Sequence, residues 1–174
     1  ANAAQRVKSQ HSLKWSPVDV IRLRKASDKD KAVAVGFYNS IEQEEEPSLY
    51  RENKIAKAIL EETCYIILAG HRAIGFVIFD YRFFDQGWIE LMILDEACRG
   101  KGIGGKVFDL LGEQCKAEKL FTSTNRSNTR MQKALAKAGF SFAGQLTGLD
   151  EGDPELFYYR LIREENQPTE QSWR

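Results

Sequence analysis

The sequence predicts a single mixed α+β domain, and three observations support this fold class. The chain has 174 residues, of which 43% are hydrophobic and 29% charged, as is usual for one globular domain with a full core. Its first half contains short alternating apolar runs, which favour antiparallel strands. A strand, a glycine-rich turn and an amphipathic helix follow at 88–111, before further strands return. We expect the domain to span 18–163, between a flexible arm at 1–17 and a polar tail at 164–174.

A strand and a helix open the expected domain. The strand covers 18–24. Its inward residues would be Val18, Val20 and Leu23. Ser27 or Asp28 can cap the following helix, because their side-chain oxygens accept hydrogen bonds from bare backbone N–H groups. This helix would end near Tyr38.

A second helix and a hairpin come next. Pro47 suits the first turn of a helix that runs to about Glu62. The apolar side of this helix would consist of Leu49, Ala56, Ile59 and Leu60. Two apolar runs at 65–69 and 73–80 are joined by a short polar turn that begins with Gly70, and this spacing predicts a β-hairpin.

The second half predicts two strand–helix units and two closing strands. The strand at 88–94 follows a turn at 84–87 and leads into a helix that begins at Gly102 and ends near Glu118. The later elements are a strand at 120–125, a helix at 128–139, and strands at 140–145 and 156–163. Gly139 suits the left-handed end of its helix. Together these elements predict a mixed sheet.

The loop after the 88–94 strand is the segment most informative about function. It contains, in order, Arg99, Gly100, Lys101, Gly102, Ile103, Gly104, Gly105 and Lys106. Bare backbone N–H groups and the positive end of the helix dipole meet at such a turn. Three basic side chains add positive charge there. The loop therefore predicts a binding site for the pyrophosphate of a phosphorylated cofactor.

Two other cofactor classes are bound by glycine-rich loops, but the loop at 99–106 fits neither of them well. Gly100, Gly102 and Gly105 have the spacing of the dinucleotide fingerprint, but no acidic residue follows on the 120–125 strand to bind a ribose. An NAD(P)-binding oxidoreductase is therefore the less favoured alternative. A nucleotide P-loop requires a hydroxyl directly after its lysine, and valine occupies that position here.

Two motifs resemble those of the GNAT N-acetyltransferase family. Residues 99–104 match the family's R/Q-x-x-G-x-G/A pyrophosphate loop at every fixed position. Residues 128–140 resemble its N-x-x-A-x-x-L-Y-x-x-x-G-F segment, and the two motifs have the family's order and spacing. The resemblance covers about 18–163. It implies a GNAT acyl-CoA N-acyltransferase fold, with a central, mostly antiparallel, splayed sheet flanked by helices.

The resemblance also implies contacts with acetyl-CoA, the co-substrate of the family. The pantetheine arm would lie along the strand before the loop. It would pair there with backbone groups of Leu91 to Leu94, which include Met92 and Ile93. Asn128, which can also cap its helix, would hydrogen-bond the same arm, and Asn125 is a weaker candidate for this contact.

Acetylation of an amine also requires a base. Glu90 is the candidate, directly or through water, because alternation places it beside Trp88 and Met92 in an apolar strand. A carboxylate in apolar surroundings is tuned toward proton transfer near neutral pH. Glu90 can equally be a salt-bridged structural residue, or point to solvent.

An oxyanion donor and an acid for the leaving thiolate complete the expected machinery. The donor would be a backbone N–H near Ile93 or Leu94. The family's acid is often a tyrosine, and Leu135 occupies that position here. Tyr158 and Tyr159 on the last strand are the candidate substitutes, although a tyrosine in a strand is more often a packing residue.

The predicted activity is the transfer of an acetyl group from acetyl-CoA to a primary amine of a small molecule or protein, directly within a ternary complex. A non-catalytic acyl-CoA-binding module is the alternative that the missing tyrosine supports. The acidic run at 42–46 would attract a cationic amine if it borders the acceptor pocket, or it is a solvated loop.

Composition limits the expected partners. Lys+Arg and Asp+Glu both number 25, so we expect no broad basic face for nucleic acid. No apolar run approaches the ~20 residues of a membrane span. Cys64, Cys98 and Cys115 have no metal-ligand spacing and suggest no disulfide framework, so we expect no metal site and a cytoplasmic location. A homodimer would be compatible with the family.

Overall fold

The computed structural model describes residues 20–41 and 47–162, which form a seven-stranded mixed sheet with helices on both faces. The strands are β1 (Ile21–Lys25), β2 (Cys64–Ala69), β3 (Arg72–Phe83), β4 (Gln86–Leu94), β5 (Lys119–Asn125), β6 (Ser141–Leu146) and β7 (Glu155–Leu161). The helices are α1 (Lys31–Asn39), α2 (Ser48–Leu60), α3 (Ile103–Gln114) and α4 (Thr129–Lys137). The predicted α+β class is confirmed. The arm at 1–17, the acidic run at 42–46 and the tail at 164–174 lie outside the described residues.

The sheet is splayed near its middle. Its strand order is β1-β2-β3-β4-β5-β7-β6, and every neighbouring pair is antiparallel except β4 and β5. The parallel pairing joins only 87–89 of β4 to 120–122 of β5. Beyond Ile89 the two strands diverge, as the resemblance implied. One edge of the rest of β4 therefore has no neighbouring strand among the described residues.

Separate apolar clusters pack on the two faces of the sheet. Alternation along β3 sends Val77 to the face covered by α3 and α4, and Phe76 and Ile78 to the face covered by α1 and α2. Phe108 and Leu111 of α3 are fully buried on the first face, called here the α3–α4 face. The opposite face is called the α1–α2 face.

The turn between β3 and β4 is tighter than the predicted 84–87. It consists of Phe84 and Asp85 alone, and both residues have left-handed backbones with φ of 52° and 57°. A two-residue hairpin turn requires this conformation, which glycine or asparagine usually supplies. Stacking of the Phe83 and Trp88 rings, with centroids 4.7 Å apart, accompanies the turn.

The inward residues predicted for the first strand are correct at Leu23 and wrong at Val20. Ile21 and Leu23 pair with Ala69 and Ile67 and pack on the core, whereas Val20 precedes β1 and is 67% exposed. Val18, also predicted to point inward, lies outside the described residues. The pairing with β2 therefore directs Ile21 and Leu23 inward.

The apolar side predicted for the second helix is also wrong in part. Leu49 and Leu60 are 67% and 84% exposed, and α2 instead buries Arg51, Ile55, Ala58 and Ile59. Arg51 fills an inward position because its guanidinium lies 5.2 Å from the centre of the Tyr38 ring and donates a hydrogen bond to the Tyr38 carbonyl. A buried arginine interrupts the apolar pattern, so the sequence pattern places the buried side incorrectly.

The third helix ends four residues earlier than predicted. Its last residue is Gln114, and Cys115 takes an extended backbone conformation. The Cys115 side chain is buried against the core at this point, so the chain turns toward β5 rather than continuing as a helix.

Candidate active site

A β-bulge at Glu90 lies where β4 begins to separate from β5. Ile89 pairs with Phe79 of β3, and Leu91 pairs with the preceding residue, Ile78. Two neighbouring residues of β3 therefore oppose three residues of β4, which makes Glu90 the extra residue. A bulge of this kind bends its strand and re-aims side chains.

The bulge overturns the expectation that Glu90 and Met92 share a face. Ile89 and Met92 both pack in the cluster on the α3–α4 face, although three positions separate them. Leu91 and Ile93 pack on the α1–α2 face. Glu90 contacts Lys54 of α2, on that same face. Regular alternation would have kept Glu90 and Met92 together.

Charged neighbours replace the apolar setting that the sequence predicted for Glu90. The Lys54 ammonium lies 2.9 Å from one carboxylate oxygen, and the Arg82 guanidinium lies 3.8 Å from the other. The Glu90 side chain is 32% exposed. The structure thus presents Glu90 as an ion-paired carboxylate that solvent still reaches.

Glu90 forms part of a cavity of about 310 Å³, called here the α2–β4 cavity. The described residues that line it are Tyr50, Asn53, Lys54, Lys57, Ala58, Glu61, Ile78, Arg82 and Glu90. Sequence reasoning identified only Glu90 among them. A signal for four of the others was the spacing of 50, 54, 57 and 61, which places polar or aromatic side chains on one side of a helix.

Arg82 is held firmly at the edge of this cavity. Its Nε donates to Asp80 Oδ2 at 2.7 Å, and its backbone N–H donates to Asp80 Oδ1 at 2.9 Å. Asp80 is buried, and its hydrogen bond raises the pKa of the Arg82 guanidinium above the usual range. Glu61 contributes a second ion pair at 3.2 Å. Arg82 is therefore a permanently charged group of fixed position.

The glycine-rich loop begins on the far end of β4. Asp95 caps a short 3₁₀ turn at 96–98, with its side chain accepting from the Ala97 N–H at 3.0 Å. The Arg99 guanidinium turns back and donates from Nε to the Leu94 carbonyl at 3.0 Å. Arg99 thus fastens the loop to β4 as well as adding positive charge.

The start of α3 has room for a phosphate group. Gly100 and Gly102 have left-handed backbones with φ of 76° and 78°, and α3 begins directly after them. The first N–H groups of a helix have no intrahelical acceptor. A Cβ placed on Gly102 or Gly105 would meet no described atom within 4 Å, and Lys106 is exposed at the same end. These features fit a pyrophosphate.

The residues expected to bind a pantetheine arm lie along the free edge of β4. Met92, Ile93 and Leu94 pair with β3 on one side, and β5 has diverged on the other. Asn128 caps α4, its Oδ1 accepting from the Met131 N–H at 3.1 Å. The Asn125 amide instead donates to Asp150 at 2.6 Å, in the loop before β7.

The candidate acids lie away from the α2–β4 cavity. Tyr158 is buried on the α3–α4 face, where its ring meets that of Phe142 edge-on. Tyr159 lies on the other face of β7, with its ring 5.8 Å from that of Phe121. Neither is among the described residues that line the cavity. Leu135, at the family's tyrosine position, is 0% exposed in the core.

The cysteines have the environments of packing residues. Cys64, Cys98 and Cys115 are all buried and are free thiols. Burial raises the pKa of Cys64 to about 12 and also raises that of Cys98. A thiol with a raised pKa is a poor nucleophile at neutral pH. Cys98, beside Arg99, is therefore poorly suited to act as an acyl carrier.

The structure thus has a strand that leaves its parallel neighbour just before a glycine-rich helix start, as the GNAT resemblance implied. Residues 28–140, about two thirds of the chain, match the model of the acetyltransferase (GNAT) family. The chain belongs to this family and is an acetyltransferase of the GNAT type. No curated protein matches the chain at a significant level.

Solved structures share the fold. A GNAT-family acetyltransferase from Bacillus cereus ATCC 10987 is 30% identical, with a TM-score of 0.74 over 83% of this chain and 99% of that one. Ard1 from Thermoplasma volcanium is 17% identical, with a TM-score of 0.70 over 83% and 99% of the two chains. The Salmonella typhimurium protein yncA, solved with its cofactor acetyl-CoA, is 17% identical, with a TM-score of 0.64 over 87% and 99%. Within 20–41 and 47–162 of the present chain, no helix is both long and apolar enough to cross a membrane.

Proposed function

We propose that the protein transfers an acetyl group from acetyl-CoA to a primary amine of a small molecule or protein, directly within a ternary complex. The observation that carries this proposal is the separation of β4 from β5 after Ile89, followed along the chain by a helix start whose first N–H groups have no intrahelical acceptor. The free edge of β4 offers hydrogen bonds to an extended arm, and the helix start offers an anion site.

The residues around this gap suit acetyl-CoA, and the structure of yncA with that cofactor supports the assignment. The first N–H groups of α3, with Lys101 and Lys106, would bind the pyrophosphate. The free edge of β4 would pair with the pantetheine arm. Asn128 uses Oδ1 for its cap, so its Nδ2 would donate to the same arm. When bound, acetyl-CoA supplies the acetyl group as an activated thioester.

Glu90 would accept the proton of the acceptor ammonium, directly or through a water molecule. Its carboxylate lies at the bulge, where pairing with β5 ends, and it opens onto the α2–β4 cavity. Lys54, at 2.9 Å, holds the carboxylate in place. A backbone N–H at Ile93 or Leu94 would donate to the carbonyl oxygen as negative charge develops on it.

The first test is a calorimetric and thermal-shift titration of the full chain with acetyl-CoA, CoA, NADH and NADPH. A ligand that binds only the native state raises the free energy of unfolding, by roughly 2.7 kcal/mol at 100 times its dissociation constant. We expect both CoA species to bind and both nicotinamides to fail. Binding of NADH or NADPH alone would overturn the proposal.

Gly104 provides the matching variants for this titration. A Cβ at Gly104 would lie 3.7 Å from Met92 Cε, an ordinary contact, so the folded protein accepts a side chain there. The family motif itself permits alanine at this position. We expect Gly104→Ala to bind acetyl-CoA and Gly104→Val to lose at least tenfold in affinity, because the larger side chain obstructs the phosphate. Gly36→Val in α1 is the control for a valine within a helix, because a Cβ at Gly36 would meet no described atom within 4 Å.

A further inference from the structure

The α2–β4 cavity has an unusual balance of charge for a site that must receive an amine. Its described lining contains three cations, Lys54, Lys57 and Arg82, and two carboxylates, Glu61 and Glu90. An acceptor amine enters as a cation at neutral pH, so it meets more cations than carboxylates on the described wall, where buried Asp80 already pairs with Arg82 from behind. A site for a simple diamine or polyamine would be expected to have more carboxylates than cations.

The cations are ordered around Glu90 rather than scattered. Lys54 is 2.9 Å from Glu90, and Arg82 is 3.8 Å from it on the other carboxylate oxygen. Lys57 lies one helical turn beyond Lys54, and its ammonium is 3.9 Å from Glu61. Glu90 is thus the one carboxylate at the bulge, and positive groups approach it from both α2 and β3.

An ammonium that approaches Glu90 must share this carboxylate with Lys54. Two cations on one carboxylate repel each other in a half-buried cavity, where charge interactions are stronger than in bulk water. A second, negative group on the same acceptor removes the conflict, because Lys54, Lys57 and Arg82 can then bind that group. In the complex, the acceptor ammonium pairs with Glu90 and the negative group of the acceptor pairs with the cations, so every charge has a partner.

We propose that the acceptor is a small zwitterion of the amino acid type, with its primary ammonium at Glu90 and its carboxylate among Lys54, Lys57 and Arg82. This inference rests on the acetyl transfer proposed above. The cavity, at about 310 Å³, has the size of the smallest ligand pockets and suits a free amino acid. Lys57 and Arg82 are then specificity-determining residues.

The test compares amino acids with their own amides in a free-thiol assay with acetyl-CoA. The pairs are L-phenylalanine with L-phenylalaninamide, L-methionine with L-methioninamide, and L-glutamine with L-glutaminamide, and spermidine represents the polyamines. Each pair differs in the carboxylate charge and little in size. We expect kcat/KM to be at least tenfold higher for the acid in the preferred pair. The amine of the amide is less basic than that of the acid, so more of it is unprotonated and reactive at neutral pH. This difference favours the amide and therefore works against the expected result.

A lysine variant locates the effect in the cavity. Lys57→Met removes the charge and retains the stem of a side chain that is 66% exposed, so folding is not at risk. We expect KM for the preferred amino acid to rise five- to tenfold with little change in kcat, and KM for its amide to stay constant. Lys29→Met, on the exposed turn before α1, is the matched control and should change neither value.

Three outcomes overturn the inference: amides that react as well as acids, spermidine as the best acceptor, or no acetylation of any amino acid in the panel. Calorimetry with acetyl-CoA separates these failures from failure of the proposed function. Binding of acetyl-CoA without amino acid turnover contradicts only the acceptor class. Absence of acetyl-CoA binding contradicts the acetyl transfer itself.

Discussion

Glu90 combines three properties that single residues of a sheet seldom share. It is the extra residue of a bulge, it follows the last residue of β4 that pairs with β5, and it is ion-paired across the sheet face to a helix. A bulge frees the residue from the regular ladder, so its side chain can approach α2. The reactive carboxylate of the proposed mechanism therefore depends on backbone geometry as much as on residue type.

Replacing Glu90 tests its role as a base. Glu90→Gln retains the shape and removes the proton acceptor, so we expect kcat to fall about 10²-fold or more, with the largest deficit at low pH, where more of the amine is protonated. Initial rates across pH 6–9 measure this. Glu62→Gln is a matched control, because it also breaks a carboxylate–lysine pair, with Lys25 at 2.6 Å, outside the cavity. A pH–rate profile like that of the wild type would leave Glu90 with an orienting role only.

Individual residues also show where sequence reasoning stops. The identity of Glu90 as a candidate followed from its strand, but its neighbours Lys54 and Arg82 belong to distant elements and no local pattern joins them. The bulge was equally hidden, because the run Trp-Ile-Glu-Leu-Met is compatible with a regular strand. Leu135 departs from the family motif, and its complete burial identifies a packing role that the motif could not indicate.

At the scale of elements, a carboxylate clamp joins β1 to the start of α1. Asp30 accepts two hydrogen bonds from the Arg24 guanidinium, at 2.8 and 3.0 Å, and two more from the N–H and hydroxyl of Ser27. These donors hold the pKa of Asp30 well below its usual range, with Arg24 the largest cause. The predicted helix start at Ser27 is thus stabilised by a residue three positions further on.

The clamp has a defined dependence on pH. A carboxyl group whose folded pKa is depressed stabilises the protein above its unfolded pKa, about 3.9, and that stability is lost as the pH falls toward the folded value. We expect Asp30→Asn to lower the free energy of unfolding by about 1 kcal/mol at pH 5–7 and by less at pH 3. Urea titrations at these pH values measure the difference. Asp28→Asn, in the same exposed turn, is the control and should show a smaller loss at pH 5–7.

Elements were predicted well where the apolar pattern was regular. The β2–β3 hairpin and the extent of β4 follow apolar runs, and the glycine-rich turn marks the start of α3. The buried face of α2 was missed because Arg51 stacks against Tyr38 in an inward position, and an arginine normally signals an exposed one. The tertiary partner of a side chain, rather than its polarity, decided its position.

At the scale of the whole molecule, two half-sheets meet at a narrow joint. One half is β1–β4 and the other is β5–β7, and three residue pairs connect them. The buried Thr122 hydroxyl adds a hydrogen bond to the Ile89 carbonyl at 3.1 Å, at the last paired position. The joint fixes the angle of the gap, so it positions the free edge of β4 for its proposed ligand.

Removing this hydroxyl should affect stability and cofactor binding together. Thr122→Val preserves the shape and loses one hydrogen bond, so we expect about 1 kcal/mol less stability and a melting temperature roughly 2–4 °C lower. Calorimetry should also show a severalfold loss of acetyl-CoA affinity. Thr124→Val, at another buried threonine of β5, is the control. Equal effects of the two variants would show that the joint does not depend on Thr122.

The overall architecture followed from the two family motifs, whereas the joint itself did not. The splayed sheet was implied by the resemblance of the two motifs to the GNAT family, because a strand, a glycine-rich loop and a helix in this order also occur in dinucleotide-binding folds. The number of paired residues between β4 and β5 depends on packing from both faces, which no segment encodes alone. The cavity has the same origin, since its described lining residues come from α2 and its C-cap Glu61, from β3 and from β4.

Acceptor range and cofactor affinity should be separable targets for directed evolution. The bulge sends Leu91 toward α2, while its neighbour Met92 lies beneath the start of α3. A mutant library at Leu91, Lys54 and Lys57 would therefore change the α2–β4 cavity and leave the proposed acetyl-CoA site unchanged. Laboratory selection on such a library could change which metabolite is modified while the supply of acyl donor stays constant.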